Sequence, residues 1–370
     1  MTKKTIQIVS FDVPYPPNYG GVIDVYYKIK ALSELGVKVY LHCYQDKRAK
    51  SDVLESLCEE VYYYDRTKTL KHFFSSTPFI VSSRNSKTLA QNLKSINAPM
   101  LFEGLHTTAV LLKHSFKDQL KLVRMHNIEH HYYQGLFKSE SNLLKKLFFW
   151  FESKKLKRYE VLLQQIDSVL TISPNEQDYY KLLVNNAHYS PVFHRNIEIK
   201  TYAENGKYVL FHGDLRVSDN IKSAKYLIDV FKQLPKYNLV LASSFANKKI
   251  SNSLLSVSNM SFVKIEDSNH LDDVFRDAQL HVILSYQNTG IKLKLINALY
   301  QGRHVIANTI VTDGTGLKDI CEVFDTKQDL ILKVKALYSK EFTKKDVLKR
   351  STVLQQFDTK INALKILELL

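Results

Sequence analysis

The sequence predicts an α/β protein of two similar units, each built on a parallel β-sheet. Residues 5–13 have the pattern of a buried strand, and a glycine-containing loop leads from them to a helical pattern over 22–35. A second strand pattern, 207–213, also runs into a glycine loop and then a helical pattern. The chain has 370 residues, which suits two domains of roughly 150–200 residues better than one core.

Strand and helix patterns alternate along both units, as is typical of parallel sheets with helical crossovers. The further strand patterns cover 37–44, 61–65, 99–104, 121–127 and 168–173 in the first unit, and 238–244, 260–265, 280–285 and 304–308 in the second. We expect an N-terminal domain at 1–190, an aperiodic linker at 191–206, a C-terminal domain at 207–345 and a terminal helix at 346–370 that packs back towards the N-terminal domain. Two such Rossmann-like units would face a central cleft at the carboxyl ends of their strands, where open α/β sheets bind ligands.

Composition limits the class of partner and the compartment. Lysine and arginine outnumber aspartate and glutamate by 52 to 37, for a formal net charge of +15. This balance favours anionic partners, although a solvated basic surface explains it equally well. The cysteines, Cys43, Cys58 and Cys321, lack metal-ligand spacing, which favours a reducing compartment over a disulfide framework or a zinc site. With no signal-peptide pattern and no long apolar run, we expect a cytoplasmic protein that touches at most a membrane surface.

Three polar stretches follow strand patterns of the first unit. In "PPNYGG" (16–21), the glycines let the backbone approach a ligand, although a tight turn without a ligand is an equally good interpretation. "VRMHNIEHHYY" (123–133) favours a substrate-facing loop over plain surface polarity. Metal binding there is disfavoured, since only His126 and His130 have helical i, i+4 spacing. "FEGLHTT" (102–108) is a weaker signal of the same type.

The second unit offers candidate anion sites at two loops. "HGDLRVSDN" (212–220) joins a strand pattern to a helical one, and its loop amides could hold phosphate. "NTGIKLKLINALYQGRHVI" (288–306) predicts a helix that Thr289 caps and Gly302 ends. Two lysines in its first turn lie where cations are disfavoured, and an anion bound there would explain them. The alternative is two solvated lysines beside an apolar ridge.

A separate segment, 143–163, combines four consecutive aromatic residues with dense lysine. This composition is typical of an interfacial membrane helix. A core helix with solvated lysines is the equally weighted alternative. Nucleic-acid binding is not expected, because no nucleic-acid motif accompanies the basic residues.

Taken together, the glycine pair, "RMHNIEHHYY", the loop after 207–213 and "TGIKLKLINALYQGRHVI" resemble a bacterial GT-B-fold glycosyltransferase of the family 4 type, over nearly the whole chain. The resemblance implies a metal-independent hexosyltransferase-type enzyme without a cofactor. It would move a sugar, with retention, from a nucleotide-sugar donor to a lipid-linked or growing surface glycan acceptor. It also implies a cytoplasmic location, to which the basic aromatic helix adds contact with an anionic membrane surface.

Carried over residue by residue, the resemblance gives three sets of candidates. The catalytic candidates are His126 and Glu129. The donor-binding candidates are Gly20, Gly21, Gly213, Arg216, Thr289, Gly290, Ile291, Lys292, Lys294 and Asn297. The acceptor-side candidates are Tyr19, Glu103, His106, Arg124, Asn127 and His130. Asn297 would reach the ribose and His126 would lie near the transferred sugar.

The chain departs from the family pattern at four positions. The usual glutamate pair reads Thr289 and Asn297, and the usual arginine and lysine of the first donor loop read Asp214 and Asp219. We therefore expect the helix-start lysines to take over charge from the altered loop. A non-catalytic nucleotide-sugar-binding scaffold and a nonhydrolysing sugar-nucleotide epimerase remain as alternatives.

Overall fold

In the computed structural model, the described residues are 4–140, 142–255, 257–287 and 290–370. They form two compact units. Unit 1 runs to Arg195 and also takes in Gln356–Leu370, and unit 2 is Asn196–Gln355. Each unit is described by itself below.

Unit 1 contains a seven-stranded, fully parallel sheet of order β3-β2-β1-β4-β5-β6-β7. Its strands are β1 (Thr5–Ser10), β2 (Lys38–Gln45), β3 (Glu60–Asp65), β4 (Met100–Glu103), β5 (Lys121–Met125), β6 (Ser168–Thr171) and β7 (Ala187–Tyr189). Its helices are α1 (Gly20–Glu34), α2 (Asp52–Leu57), α3 (Leu70–Phe74), α4 (Phe79–Ser82), α5 (Lys87–Ser95), α6 (Glu129–Ser139), α7 (Leu143–Tyr159) and α8 (Pro174–Lys181). The strands are apolar on both faces because helices cover both faces of the sheet. β7 has no counterpart among the strand patterns of the sequence.

Unit 2 contains a six-stranded parallel sheet of order β10-β9-β8-β11-β12-β13. Its strands are β8 (Tyr208–His212), β9 (Leu239–Ser243), β10 (Met260–Lys264), β11 (Ala278–Ile283), β12 (His304–Asn308) and β13 (Glu322–Phe324). Its helices are α9 (Ser218–Phe231), α10 (Lys248–Leu254), α11 (Ser268–Asp277), α12 (Leu293–Gln301), α13 (Thr309–Thr312), α14 (Lys327–Leu337) and α15 (Lys344–Leu354). The strand order reverses at β8, and such switch points are where α/β sheets bind ligands.

The last helix, α16 (Thr359–Glu368), belongs to unit 1. Its Ala363 and Ile366 join the buried cluster that includes Val25 and Ile29 of α1. The two parallel sheets confirm the α/β fold class predicted from the sequence. Among the described residues, no helix combines the length and apolar character that crossing a membrane requires.

Candidate functional site

In unit 1, five charged or ionisable side chains meet at the carboxyl edge of the sheet. β4 ends at Glu103, β5 carries Arg124, and His126 follows β5. Asp24 and Lys28 come from α1, one helical turn apart. β1, whose loop leads into α1, pairs with β4, and β4 pairs with β5, so neighbouring strands bring these side chains together.

Four of these side chains form a fully buried ion-pair network. Lys28 Nζ lies 3.1 Å from Asp24 Oδ2 and 2.6 Å from Glu103 Oε1. Arg124 donates to both Asp24 oxygens, from Nε at 2.7 Å and from Nη2 at 2.8 Å. All four side chains are 1% exposed or less. Two cations balance two carboxylates, which is the condition under which charges tolerate burial.

The network keeps both carboxyl groups ionised. Burial raises the pKa of Asp24, but the charges of Arg124 and Lys28 outweigh it and hold that pKa well below its usual range. The pKa of Glu103 is likewise lowered: burial acts upward, and Lys28 and the hydrogen bond from His126 act downward more strongly. The carboxylates are therefore fixed charges over the ordinary pH range.

Both ring nitrogens of His126 face carboxylates of the network. Nε2 lies 2.9 Å from Glu103 Oε2, and Nδ1 lies 4.0 Å from Asp24 Oδ2. The side chain is 11% exposed, so it forms the edge of the network nearest solvent. Glu103 thus sets the orientation of His126, a role that the sequence pattern did not reveal.

The spacing of Asp24, Glu103 and His126 would also suit a metal ion, since one ligand atom of each lies within 4.8 Å of the others. The chemistry around them does not fit a divalent ion. Each carboxylate already accepts a charge-assisted hydrogen bond from Lys28 or Arg124. These two cations would repel a further positive charge at the same place.

The ring of Phe11 lies against loop residues that surround the ion-pair network. Its ring centroid lies 5.5 Å from that of His106 and 5.6 Å from that of His126. A Cβ atom on Gly21 would come within 2.6 Å of this ring, so the glycine lets the ring lie against the start of α1. Gly20 begins α1, and the Tyr19 hydroxyl before it donates to Asp12 Oδ2 at 2.8 Å.

His106 is neutral and half-buried. Burial, with Arg84 and His126 nearby, holds its pKa well below its ordinary value. Gly104, at φ 72°, turns the chain after β4, and a Cβ there would come within 2.7 Å of His106 Nδ1. The structure therefore places His106, Gly21 and His126 around one aromatic ring.

The remaining candidates of unit 1 lie in and before α6. Glu129 is 2% exposed, and burial beside the Glu176 and Glu160 carboxylates raises its pKa to about 8. It is therefore a neutral acid at pH 7. His130 Nδ1 lies 2.8 Å from Glu160 Oε1, and the Asn127 carbonyl accepts from the Tyr180 hydroxyl at 3.3 Å. The side chains named here as neighbours of Glu129 and His130 are Glu160 and Glu176. Neither belongs to the ion-pair network of Glu103 and His126.

In unit 2, the loop after β8 holds Arg216 in an exposed ion pair. Arg216 donates from Nε and Nη2 to the Asp214 carboxylate at 2.7–3.1 Å. Its guanidinium carbon lies 3.4 Å from the centroid of the Phe245 ring. Gly213 packs against Asn220, whose side chain a Cβ on Gly213 would approach to 3.0 Å. The charge of Arg216 is thus already neutralised within its own loop.

Helix α12 begins later than the sequence pattern predicted. It starts at Leu293 with Lys292 as its N-cap, so the prediction of a helix capped by Thr289 is wrong. Gly290 has φ 60°, a left-handed conformation that a right-handed helix cannot include. Thr289 itself lies outside the described residues. Ile291, one residue before the N-cap, is buried.

Lys294 is a partly buried cation of unit 2. Its Nζ donates to the Leu284 carbonyl at 3.0 Å and to Asn220 Oδ1 at 3.3 Å. Burial lowers its pKa to about 8, with Asp219 acting in the opposite direction and Lys292 in the same one. Asp219 itself accepts from Ser285 Oγ and from the Tyr286 amide, each at 2.9 Å. Asp219 is therefore turned towards the loop after β11.

Asn297 lies one turn further along α12. Its Oδ1 accepts from Asn196 Nδ2 at 2.9 Å, and Asn196 Oδ1 accepts from Gln301 at 2.7 Å. The side chain is therefore held by an amide neighbour of its own unit. Lys292 is half-buried at the start of the helix.

Two members of the network, Asp24 and Lys28, were not singled out from the sequence. Their signal is an opposite-charge i, i+4 pair within "VIDVYYKIKAL", where the spacing also matches an exposed helix pair. Only the packing of α1 on the sheet distinguishes a buried pair from an exposed one.

Comparison with known proteins relates the chain to glycosyltransferases by fold. No protein-family model matches it. A curated relative, an uncharacterised 44.6 kDa protein of the cps region of Klebsiella pneumoniae, is 26% identical over 329 residues, 84% of each chain. A glycosyltransferase from Rickettsia africae is 14% identical with a TM-score of 0.69, covering 100% of this chain and 98% of its own. HepE from Anabaena, solved with UDP and glucose, is 11% identical with a TM-score of 0.64, covering 99% of both chains. At such identities these likenesses show the fold, and the two parallel-sheet units are those of the GT-B fold.

Proposed function

We propose that this protein is a glycosyltransferase of the family 4 type. It moves a sugar from a nucleotide-diphosphate donor, bound mainly by unit 2, to a lipid-linked or growing surface glycan, bound mainly by unit 1. The fold of its structural neighbours supports sugar transfer. The relative from a cps region supports a surface glycan as product. Retention, independence of metal and the absence of a cofactor belong to the proposal.

The observation that carries the proposal is the partly buried charge of Lys294, whose pKa is lowered. Taking an ammonium out of water is costly unless an anion or several acceptors compensate. Lys294 Nζ has two neutral hydrogen-bond acceptors. Its pKa, lowered to about 8, indicates that they do not fully compensate for the lost hydration of the ammonium group. A diphosphate beside it would offset that cost. These contacts support an anionic ligand beside Lys294 at the carboxyl edge of the sheet, next to the Gly213 loop.

The chemistry requires positive charge at this place. When the bond between the sugar and the donor breaks, negative charge grows on the departing diphosphate, and fixed cations stabilise it. Lys294, Lys292 and the amides at the start of α12 fulfil this role in the proposal. Arg216 contributes less, because Asp214 already neutralises it.

On the acceptor side, the network of unit 1 supplies a rigid polar surface. His126, near the transferred sugar in this proposal, is held by Glu103, which Lys28 in turn holds. A site whose dipoles are fixed before the reaction spends little energy on reorganisation during it. Glu129 is too deeply buried to act as a base on a bound sugar, and we propose a structural role for it.

The first test is binding of UDP, GDP, CMP and their common sugar conjugates, measured calorimetrically without added metal. A nucleotide diphosphate should bind, and the variant Lys292→Ala/Lys294→Ala should bind it at least about tenfold more weakly. The matched control is Lys248→Ala/Lys249→Ala, two exposed lysines of α10 in the same unit. Affinity should also fall as pH rises through about 8, where Lys294 loses its charge. Unchanged affinity in the Lys292/Lys294 variant would refute the proposed donor site.

A second candidate function is a nucleotide-sugar-binding scaffold without catalysis. The observation favouring it is Asn297, which replaces a family glutamate and is hydrogen-bonded to Asn196. Transfer of radiolabelled sugar to a glycan or lipid-linked acceptor separates the two, since a scaffold binds donor without turnover. Conversion of free donor in the absence of acceptor would instead indicate an epimerase.

The proposal places the enzyme in the cytoplasm, peripheral to the inner face of the membrane. A lipid-linked acceptor would be presented there. Fractionation of cells that express the protein would check this location.

A further inference from the structure

Helix α7 is apolar on two opposite sides. Its inward side packs Leu156 and the half-buried Phe148 and Phe149 against the buried cluster of Ile80, Val81, Ala109 and Tyr133. Its outward side exposes Leu143, Leu144, Leu147, Trp150 and Phe151. A helix that served only the core would carry polar residues on that outward side. The core therefore explains one apolar side of α7 and leaves the other unexplained.

Helix α3 lies beside α7 and carries exposed apolar residues of its own. The Phe73 ring lies 5.6 Å from that of Phe148, and the Phe73 carbonyl accepts from Lys155 Nζ at 2.9 Å, so α3 lies beside α7. Leu70 and Phe74 of α3 point outward, with Phe74 88% exposed. We call the exposed apolar residues of the two helices the α3–α7 platform: Leu70, Phe73, Phe74, Leu143, Leu144, Leu147, Trp150 and Phe151. A group of exposed apolar residues on neighbouring helices is typical of a binding face.

The exposed charged residues on α3 and α7 themselves are all basic. Within α3 and α7, both fully described, the only acidic residue is Glu152, which is buried and paired with Lys155. The exposed charged residues are Lys71, Lys145, Lys154, Lys157 and Arg158. Along the outward side of α7, the apolar residues occupy the first half and the basic residues Lys154, Lys157 and Arg158 the second. Apolar side chains beside basic residues on the same helices complement an anionic lipid surface, where rings insert below the headgroups and cations stay among them.

We propose that the α3–α7 platform docks unit 1 on an anionic lipid bilayer. Phe74, Leu144 and Leu147 enter the acyl boundary, Trp150 lies at the headgroup level, and Lys154 and Arg158 contact lipid phosphate. This inference rests on the peripheral location in the proposed function. It adds which surface of unit 1 contacts the membrane and that the lipids are anionic. Docking needs neither donor nor acceptor, so its failure and the failure of sugar transfer are separate results.

The chain offers a direct probe, because Trp150 is its only tryptophan. Exposed to water at 42%, it should shift its emission to shorter wavelength when vesicles of phosphatidylcholine and phosphatidylglycerol are added. Lipids brominated in the acyl chain should quench it. Vesicles of phosphatidylcholine alone should have much weaker effects, and added salt should reverse the binding. An unchanged Trp150 spectrum with anionic vesicles would overturn the proposal.

Two variants with matched controls locate the contact in vesicle sedimentation. Leu144→Ser/Phe74→Ser removes exposed apolar groups, and Leu348→Ser, an exposed leucine of α15 in unit 2, is its control. Lys145→Gln/Lys154→Gln/Arg158→Gln removes three charges, and Lys344→Gln/Lys345→Gln/Lys349→Gln removes three on α15.

Each platform variant should bind anionic vesicles roughly tenfold more weakly or worse, while the controls bind like the wild type. Because the altered residues are exposed, unchanged thermal unfolding should show that the fold is intact. Equal losses in platform and control variants would refute the proposal. So would a stable dimer that Leu144→Ser/Phe74→Ser dissociates, because that result would assign the face to a second copy of the chain.

Discussion

Lys294→Met isolates the cost of partly burying the charge of Lys294 in unit 2. Burial lowers the pKa of Lys294 from the ordinary 10.5 to about 8, so at pH 7 the charged form costs about 3.4 kcal/mol, at about 1.36 kcal/mol per pKa unit. The unfolded chain binds this proton up to about pH 10.5 and the folded chain only up to about pH 8. Between these values the unfolded state therefore holds more protons, and the free energy of unfolding rises with pH.

The size of this rise follows from the two pKa values. Integrating proton binding from pH 7 to pH 9.5 gives the wild type a gain of about 2 kcal/mol from Lys294 alone. Methionine has a similar length and no charge, so the variant lacks this gain. The variant also loses the hydrogen bonds to Leu284 and Asn220. The part of that loss that does not depend on pH cancels in the comparison, and the part that does is already contained in the pKa of Lys294.

Urea unfolding of both proteins at pH 7 and pH 9.5 is the assay. The stability of Lys294→Met relative to wild type should decrease by about 2 kcal/mol between the two pH values. Lys248→Met, at an exposed lysine of α10, should show no such change. If the difference in free energy of unfolding between Lys294→Met and wild type is the same at both pH values, the claim that burial destabilises the charged form of Lys294 is refuted. The variant should also lose affinity for nucleotide diphosphate.

Further predictions concern both units. Because Glu129 has a pKa raised to about 8, its folded form binds an extra proton, and this stability is lost as pH rises: about 2.6 kcal/mol between pH 6 and pH 9. Glu129→Gln should remove that loss in urea unfolding, whereas the exposed control Glu55→Gln should keep the wild-type pH profile, and parallel profiles for all three would contradict the assignment. Asp24→Asn leaves the buried Arg124 without a full counter-charge and should cost roughly 3–5 kcal/mol in chemical denaturation; a cost below 1 kcal/mol, on the order of an exposed pair, would show that the network is solvated. Gly302→Ala would place a Cβ 2.4 Å from the buried His281 ring and should lower the free energy of unfolding by roughly 1–3 kcal/mol; an unchanged melting temperature would show that the ring has room to move.

The α/β fold class was predictable because strand and helix periodicities are local properties of the chain. The run 5–13, its glycine loop and the helical pattern 22–35 correspond to β1 and α1 with shifted ends. The strand β7 was missed because three residues are too few to show alternation. The start of α12 was misplaced because a helix-favouring pattern gives no warning of the positive φ at Gly290.

The candidate site was predictable only in part. The sequence pointed to Glu103, Arg124 and His126 because polar residues follow strand patterns, and strand ends meet at one edge of a parallel sheet. The sequence could not show which of these side chains contact one another. Asp24 and Arg124 are separated by 100 positions, and which carboxylate each cation contacts depends on side-chain packing.

The sequence by itself determined the alternating α/β order, the glycine loops at strand ends and the strongly basic composition. These follow from residue type and short-range spacing. The tertiary structure decided that Glu129 is a neutral acid, that Asp214 forms an ion pair with Arg216 and that the pKa of Lys294 is lowered. It also decided that the aromatic residues of α7 divide between the core and the surface. Desolvation and ion pairing depend on distances between atoms that folding brings together, and neither can be read from spacing along the chain.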